Sequence, residues 1–139
     1  MIVLDTNVVS ELMRASPAVA VRDWVQARAA HELHVTSITL AETRYGIERL
    51  PEGRRKELLR IAAADVFAVF RAQILSFDDA AATQYASIVT ARNVIGRPIG
   101  GFDAQIAAIC RVHGAALATR DSKGFRGVGV DLIDPWSPP

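Results

Sequence analysis

The sequence alternates short apolar stretches with longer segments that have helical character. The apolar stretches are MIVL, ELHVTS, ILSF, AALAT and VDLID, which begin at residues 1, 32, 74, 115 and 130. Most of them are separated by segments whose apolar side chains recur near helical spacing. Strands that alternate with helices are typical of a parallel sheet covered by helices. We therefore expect a three-layer α/β/α fold with a mainly parallel central sheet.

Local signals predict where several helices begin and end. Pro17 predicts the start of the second helix, because proline is favoured at the first helical position. Pro51 is expected to follow the end of the third helix, since proline cannot continue a helix. Asp78 and Asp79 would lie in the first turn of a later helix, where negative charge is favourable. Gly114 would end the helix that precedes the fourth strand.

Composition limits the classes of protein that fit. The chain has 139 residues, of which 50% are hydrophobic, and a formal net charge of +1. We expect a single domain over residues 1–139, because neither a linker nor an internal repeat is visible. The lone cysteine, Cys110, suits a reducing compartment, and no targeting segment or membrane-spanning stretch is recognisable. The expected location is the cytoplasm, with no membrane partner.

Four carboxylate residues follow or flank the predicted strands. Asp5 comes directly after MIVL, and Asp121 comes shortly after AALAT. Glu42 lies near the start of the helix after the second strand, and Asp103 begins the helix before the fourth. Ligands of open α/β sheets bind beyond the carboxyl ends of the strands. We expect these four acids to meet at one edge of the sheet as the catalytic site.

Each acid also has an explanation that needs no site. Asp5 can cap the first helix, Asp103 can cap the helix that it begins, and Asp121 lies in a sequence with good turn chemistry. Glu42 can be a solvated helix residue. This explanation is favoured for each acid taken singly. Four carboxylates from distant parts of the chain, taken together, favour a site.

Carboxylates that are brought together need a counter-charge, because like charges cannot all ionise cheaply at short range. No Lys or His is adjacent in sequence to any of the four, although Arg44 and Arg120 are near. The remaining counter-charge is a metal ion, and carboxylate and water ligands favour Mg²⁺ or Mn²⁺. The predicted ligands are Asp5 and Asp103, with Glu42 and Asp121 as further candidates.

Hydroxyl and amide side chains near these acids can orient carboxylates or metal-bound water. The candidates for this supporting role are Thr6, Asn7, Ser37 and Thr119. An acidic magnesium site without a dedicated His or Cys nucleophile suits hydrolysis of phosphodiester bonds, in which one or two metal ions activate water. The residues therefore favour a metal-dependent hydrolase of this type.

A basic segment lies between the second and third predicted strands. Arg44, Arg54 and Arg55 are candidates for contacts with RNA phosphates. Several glutamates interleave with the basic residues of this segment and dilute its charge. A solvated helix face is therefore the favoured interpretation.

Three other functions compete for the same pattern. A phosphatase of the haloacid dehalogenase type also has an aspartate after its first strand, but it needs an acid two residues later, where this chain has Asn7. A phosphorylation-receiver domain needs paired early acids and a late lysine after a strand, and it fits poorly. A non-catalytic module that binds RNA or protein would not need all four acids.

The chain resembles the PIN-domain family, and within it the VapC toxins of the FitB-like branch. The resemblance rests on motifs that occur in order along the chain: LDTNVVSE, SITLAETRYG, GGFDAQIAAIC, LATRDSKGF and VGVDLIDPW. It implies a PIN-like α/β/α fold and a metal-dependent endoribonuclease acting on tRNA or rRNA. It also implies that Asp5, Glu42, Asp103 and Asp121 match the four family acids, with Mg²⁺ or Mn²⁺ as cofactor.

The same resemblance implies partners. Members of this branch are toxins of type II toxin–antitoxin pairs, so it implies a VapB- or FitA-like antitoxin, a homodimer, and contact with DNA only through the antitoxin. Many members carry a further acid three residues after the fourth family acid, where this chain has Gly124. The number of metal ions is therefore left open.

Overall fold

The computed structural model describes residues 1–139 and contains five strands and six α-helices. The strands are β1 (Ile2–Leu4), β2 (Leu33–Thr36), β3 (Ile74–Leu75), β4 (Ala116–Ala118) and β5 (Leu132–Ile133). The helices are α1 (Thr6–Leu12), α2 (Val19–Gln26), α3 (Ser37–Glu48), α4 (Arg54–Val69), α5 (Asp79–Val94) and α6 (Gly101–His113). None of these helices has both the length and the apolar character needed to cross a bilayer.

The sheet has the strand order β3-β2-β1-β4-β5, and every neighbouring pair is parallel. Strand β1 is central, with Ile2 opposite Leu33 of β2 and Ala116 of β4. All five strands therefore end at the same edge of the sheet. This arrangement confirms the predicted α/β/α fold with a parallel sheet.

Each face of the sheet packs on its own layer of helices, because successive side chains of a strand point to opposite faces. Val3 and Leu117 belong to an apolar cluster with residues of α5 and α6. Leu4 and Ala118 belong to a second cluster with residues of α1, α2 and α4. The central strands β1 and β4 are therefore held from both sides, which gives their carboxyl ends fixed positions.

Most of the predicted helix signals are present. Gly114 ends α6 with a left-handed backbone at φ 60°, and the Asp78 carboxylate caps α5 by accepting a hydrogen bond from the Ala81 N–H at 2.9 Å. The prediction for Pro17 is wrong, since α2 begins at Val19. The reason is tertiary: the Ala18 N–H donates to the Glu11 carboxylate at 3.1 Å, and Ala18 stays non-helical with ψ 131°.

Candidate active site

Asp5 is held rigidly at the end of β1. Its backbone N–H donates to the Ala118 carbonyl at 2.9 Å, which continues the pairing of β1 with β4. Its Oδ1 accepts from the Thr6 N–H at 2.8 Å and caps α1, while its Oδ2 accepts from the Thr119 hydroxyl at 2.8 Å. The residue is only 4% exposed. Asp5 is thus both a helix cap and a fixed carboxylate at the sheet edge.

The Thr119 hydroxyl is the centre of a buried hydrogen-bond network. Besides donating to Asp5, it accepts from the Asn7 Nδ2 at 3.2 Å and from the Asp121 N–H at 3.0 Å. The Asn7 Oδ1 in turn accepts from the Arg120 N–H at 3.3 Å. Because of this network, the loop after β4 and the start of α1 have a fixed relative position. Thr119 and Asn7 lie where the sequence predicts supporting residues.

Glu42 lies on α3 and faces the same edge. Its Oε1 accepts from the Thr6 hydroxyl at 2.8 Å, and the Thr6 and Thr39 hydroxyl oxygens are 3.0 Å apart. Helix α3 begins beside this contact because Thr36, the last residue of β2, caps it by accepting from the Thr39 N–H at 3.1 Å. Glu42 is half-buried and hydrogen-bonded, so it is not simply a solvated helix residue.

Asp103 lies in the first turn of α6 and does not cap that helix. The N-cap position is occupied by Gly100, so the capping explanation does not hold for Asp103. Burial, which is the largest cause, and the negative charges of Asp5 and Asp121 together raise the pKa of Asp103 to about 6. Its carboxylate therefore shares an electrostatic field with two of the other predicted acids.

The pKa values of Asp5 and Glu42 are raised for the same reasons. For Asp5, burial is the largest cause, hydrogen bonds from Thr119 and Thr6 oppose it, and the charges of Glu42 and Asp121 add to it. For Glu42, burial raises the pKa, the Thr6 hydroxyl opposes it, and Asp103 adds to it. None of the four acids takes part in a salt bridge. The edge thus carries negative charge that the protein does not neutralise.

Asp121 lies at the exposed rim of this edge. Its Oδ1 accepts from the Gly124 N–H at 3.0 Å, so the turn predicted from the sequence is formed. A side chain at position 124 would collide with the Asp121 carboxylate. Gly124 therefore leaves the space that this carboxylate occupies.

The donor set fits a hard divalent cation that keeps most of its water. No group of three or more His, Cys, Asp or Glu side chains lies in a geometry that could hold a metal ion. Mg²⁺ needs no such group, since it is usually bound through one or two carboxylates and several waters. Asp5 and Asp103 could supply those carboxylates, since the negative charge of Asp5 is one of the causes that raise the pKa of Asp103.

The remaining predicted residues, Ser37 and three arginines, make no hydrogen bond to the four acids. The Ser37 hydroxyl oxygen accepts from the Phe77 N–H at 3.4 Å, which connects α3 to the end of β3, and it makes no hydrogen bond to an acid. Arg44, Arg54 and Arg55 are exposed, and of these only Arg55 lines a pocket next to Glu42. The RNA contacts predicted for these three arginines stay a prediction.

Arg92 is a residue that sequence reasoning missed. It is only 5% exposed, and its guanidinium donates to the carbonyls of Gly124 at 2.7 Å, Arg126 at 3.1 Å and Arg97 at 2.6 Å. It therefore fixes the loop that carries Asp121. No signal in the sequence marks it, because an arginine near a helix end is usually exposed.

Comparison with known proteins identifies the family to which this chain belongs. The sequence model of the PIN domain matches residues 2–130. The chain belongs to the PIN-domain family. This match confirms the resemblance inferred from the five sequence motifs.

Two relatives of this PIN domain and one solved structure extend the comparison. The chain is 39% identical over 139 residues to "VapC ribonuclease Y4jK" of Sinorhizobium fredii, and the match covers 99% of each chain. It is 34% identical over 137 residues to "Toxin FitB" of Neisseria gonorrhoeae, covering 98% of this chain and 99% of that one. A chain of the FitAB complex bound to an IR36 DNA fragment has a TM-score of 0.92 at 34% identity, with 100% of this chain and 98% of that chain covered.

Proposed function

We propose that this PIN domain is a metal-dependent endoribonuclease, the toxin of a type II toxin–antitoxin pair, and that it hydrolyses phosphodiester bonds of tRNA or rRNA. The observation that carries the proposal is the acidic edge itself. Carboxylates from four separate parts of the chain influence one another there, three of them have raised pKa values, and no cation of the protein pairs with them. Such an edge favours a bound divalent ion.

The relatives support the biological role. One carries the name of a ribonuclease, another that of a toxin, and a chain of similar fold has been solved in a complex with DNA. By analogy we propose a VapB- or FitA-like antitoxin as partner, contact with DNA only through that antitoxin, and a homodimer. Residues 1–139 would form one domain that acts in the cytoplasm.

Residues of the edge can be assigned roles. Asp5 and Asp103 would hold Mg²⁺ or Mn²⁺, with Glu42 and Asp121 contributing through water. The bound ion would lower the pKa of water and offset the charge of the phosphodiester. Thr6 and Thr119 fix the orientation of the Asp5 carboxylate.

Glu42 is suited to accept a proton. Its Oε1 is bonded to the Thr6 hydroxyl, while its Oε2 has no hydrogen-bond donor from the protein. A raised pKa makes a carboxylate a stronger base at neutral pH. Glu42 Oε2 would therefore receive the proton of the attacking water.

The test is cleavage of total bacterial RNA by the purified chain, with Mg²⁺ and with EDTA, alongside Asp5→Asn. Asparagine keeps the shape of the side chain and its ability to cap α1, so the variant should fold. We expect discrete fragments that require both the metal and Asp5. Full activity of a folded Asp5→Asn protein would refute the site. RNA binding without cleavage by the metal-loaded wild-type chain would instead favour a non-catalytic PIN-like module.

A further inference from the structure

The buried Arg92 guanidinium links two loops of the chain. On one side its Nε donates to the Arg97 carbonyl at 2.6 Å, in the connection between α5 and α6. On the other side its Nη1 donates to the carbonyls of Gly124 at 2.7 Å and Arg126 at 3.1 Å, in the loop that follows β4. One side chain of α5 thus holds together two loops that are far apart in sequence.

Both loops lead to acids of the sheet edge. The connection that is bonded at Arg97 runs into α6, which carries Asp103 in its first turn. The loop that is bonded at Gly124 carries Asp121, whose Oδ1 accepts from the N–H of the same glycine at 3.0 Å. The charge of Asp121 contributes to the raised pKa of Asp103, so the two carboxylates share one electrostatic field. Arg92 therefore connects the backbone supports of both carboxylates.

Apolar side chains also attach the loop that carries Asp121 to the core. Phe125, which lies between the two carbonyls bonded to Arg92, is 1% exposed and belongs to the apolar cluster of α5 and α6. Val128 belongs to the same cluster. These side chains attach the loop, whereas Arg92 fixes its backbone on either side of Phe125. The hydrogen bonds of Arg92 therefore add precision to the position of a loop that is already attached.

Stability alone does not account for a cation at this buried position. Arg92 takes part in no salt bridge, and its hydrogen-bond acceptors are all backbone carbonyls. A buried charge loses its hydration, and an apolar side chain of similar volume is often as stabilising or more so. A guanidinium, however, presents its donors in a rigid planar fork, so it can hold several carbonyls at fixed positions. The arrangement favours a geometric role.

We propose that Arg92 is a positioning residue of the active site. By holding both loops, it sets the separation at which the Asp103 and Asp121 carboxylates bind the divalent ion together, Asp103 directly and Asp121 through water. Arg92 itself contacts neither the ion nor the RNA. The inference rests on the proposed ribonuclease function, and it adds a residue outside the acidic edge on which metal affinity depends.

A simpler role for Arg92 would be to finish helix α5. The turn after this helix is closed by the backbone itself, since the Arg97 N–H donates to the Arg92 carbonyl at 2.9 Å. The two hydrogen bonds to the loop after β4 serve no purpose in that role. A purely structural Arg92 is nevertheless an outcome that the experiments below can detect.

The first experiment measures Mn²⁺ binding to the full chain by isothermal titration calorimetry at pH 7, without RNA. Arg92→Met keeps a long, unbranched side chain and removes its donors. We expect Mn²⁺ affinity to fall about tenfold, as is typical when a residue that orients a metal ligand is lost. Lys56→Met is the matched control, because Lys56 is also a buried cation and donates to the Glu48 carbonyl at 3.0 Å, between α3 and α4. This control should leave Mn²⁺ affinity unchanged.

Arg92→Lys provides the test if Arg92→Met does not fold. Lysine keeps the charge and the apolar stem, but its single ammonium cannot span both loops as a planar fork does. We therefore expect reduced Mn²⁺ affinity in this variant as well, alongside a cooperative melting curve. Wild-type affinity in folded Arg92→Lys would overturn the proposal.

The second experiment distinguishes positioning from a general loss of stability. Mn²⁺ affinity is measured for Asp121→Asn, for Arg92→Met and for the two changes together. If Arg92 acts through Asp121, the double variant should lose less affinity than the product of the two separate losses, because the position of a missing charge no longer matters. Losses that simply multiply would show that Arg92 acts elsewhere, and the proposal would be wrong.

The outcomes distinguish this proposal from the function on which it rests. If the wild-type chain cleaves RNA in a manner that requires metal and Asp5, while folded Arg92→Met binds Mn²⁺ as the wild type does, the positioning role is overturned and the function stands. If Mn²⁺ binding depends on Arg92 but no RNA is cleaved, the positioning role stands and the ribonuclease function fails. If the wild-type chain neither binds Mn²⁺ nor cleaves RNA, both proposals fail.

Discussion

Two acidic regions of the molecule have opposite electrostatics. In the hairpin of α3 and α4, the glutamates face cations: Lys56 lies 2.7 Å from Glu52, and the hydrogen bond and charge of Lys56 hold the pKa of Glu52 below its usual value. At the sheet edge, burial and mutual repulsion hold the pKa values of Asp5 and Asp103 above the usual range. Both regions carry carboxylates, and it is their burial and their charged neighbours that differ.

The difference indicates where the chain can bind an ion. In the hairpin each of these carboxylates lies beside a cation, so the salt bridges leave little charge for a ligand. Carboxylates at the sheet edge are partly removed from water and have no cationic partner, so their repulsion is relieved only by protons or by a bound cation. Binding chemistry is therefore expected at the edge, and a structural role is expected in the hairpin.

The largest expected effect on cleavage comes from removing one carboxylate charge at the sheet edge. Asp103→Asn should lower metal-dependent cleavage at least about a hundredfold, because even residues that only support metal ligands typically contribute ten- to a hundredfold. The same change should raise the melting temperature of the metal-free protein at pH 7, since it removes a repelled charge. Cleavage assays and thermal melts check both parts.

Glu52→Gln is the matched control for that prediction. Cleavage should stay at the wild-type level. The melting temperature should fall by no more than a few degrees, because the buried Lys56 ammonium loses the charge of the exposed Glu52 but still donates to the Glu48 carbonyl at 3.0 Å. Equal losses of cleavage in Asp103→Asn and Glu52→Gln would contradict the distinction between the two regions.

A smaller effect on cleavage is expected from removing a hydroxyl that holds the acidic residues in position. Thr119→Val removes the hydroxyl that donates to Asp5 and accepts from Asn7 and the Asp121 N–H. Cleavage should fall about ten- to a hundredfold. Stability should fall by about 1–3 kcal/mol, because buried donors lose their acceptor. Chemical denaturation and cleavage rates measure the two effects, and a variant with wild-type values in both would show that this network is not needed.

The smallest effect is a pH dependence of metal affinity. Since the folded-state pKa of Asp103 is about 6, a proton competes with the metal below that pH. Mg²⁺ binding should weaken about tenfold between pH 7 and pH 5, and Asp103→Asn should flatten this dependence. Calorimetric titration at several pH values is the measurement, and an equally steep profile in both proteins would exclude Asp103 as its source.

The same raised pKa predicts the sign of a stability change without metal. Between pH 4 and pH 6 the folded protein keeps a proton on Asp103 that the unfolded chain has released. The contribution of this group is therefore fully present at low pH, decreases as the pH rises through this window, and is lost above about pH 6. Thermal melts of the metal-free chain along this range test it.

Much of the fold was predictable because it depends on local patterns. The alternation of short apolar stretches with helical segments specified the parallel sheet, and Gly114 specified a helix end through its left-handed backbone. Pro17 was misleading, because a tertiary bond from the Ala18 N–H to Glu11 delays the start of α2. Asp5 and Asp121 could be predicted as site residues because residues that follow parallel strands lie at one edge of the sheet, and Glu42 and Asp103 because they lie near the starts of helices at that edge.

Other features of the site had no local signal. The sequence shows a segment rich in arginine, lysine and glutamate, but only the packing of α3 on α4 decides that Lys56 and Arg60 are paired while Arg49 and Arg55 are not. The burial of Arg92 under the loop that carries Asp121 also had no local signal in the sequence. Pairing and burial depend on which helix faces lie opposite each other.

The sequence by itself determined the order of strands and helices, the sheet edge at which Asp5 appears, and the unusual number of acids near that edge. Periodicity and strand ends are properties of neighbouring residues, so they can be recognised in one chain. The tertiary structure alone decided which charges stay unneutralised and that the Arg92 guanidinium is buried against the loop that carries Asp121. Those properties depend on distances between residues far apart in the chain, which only the packed helices and sheet set.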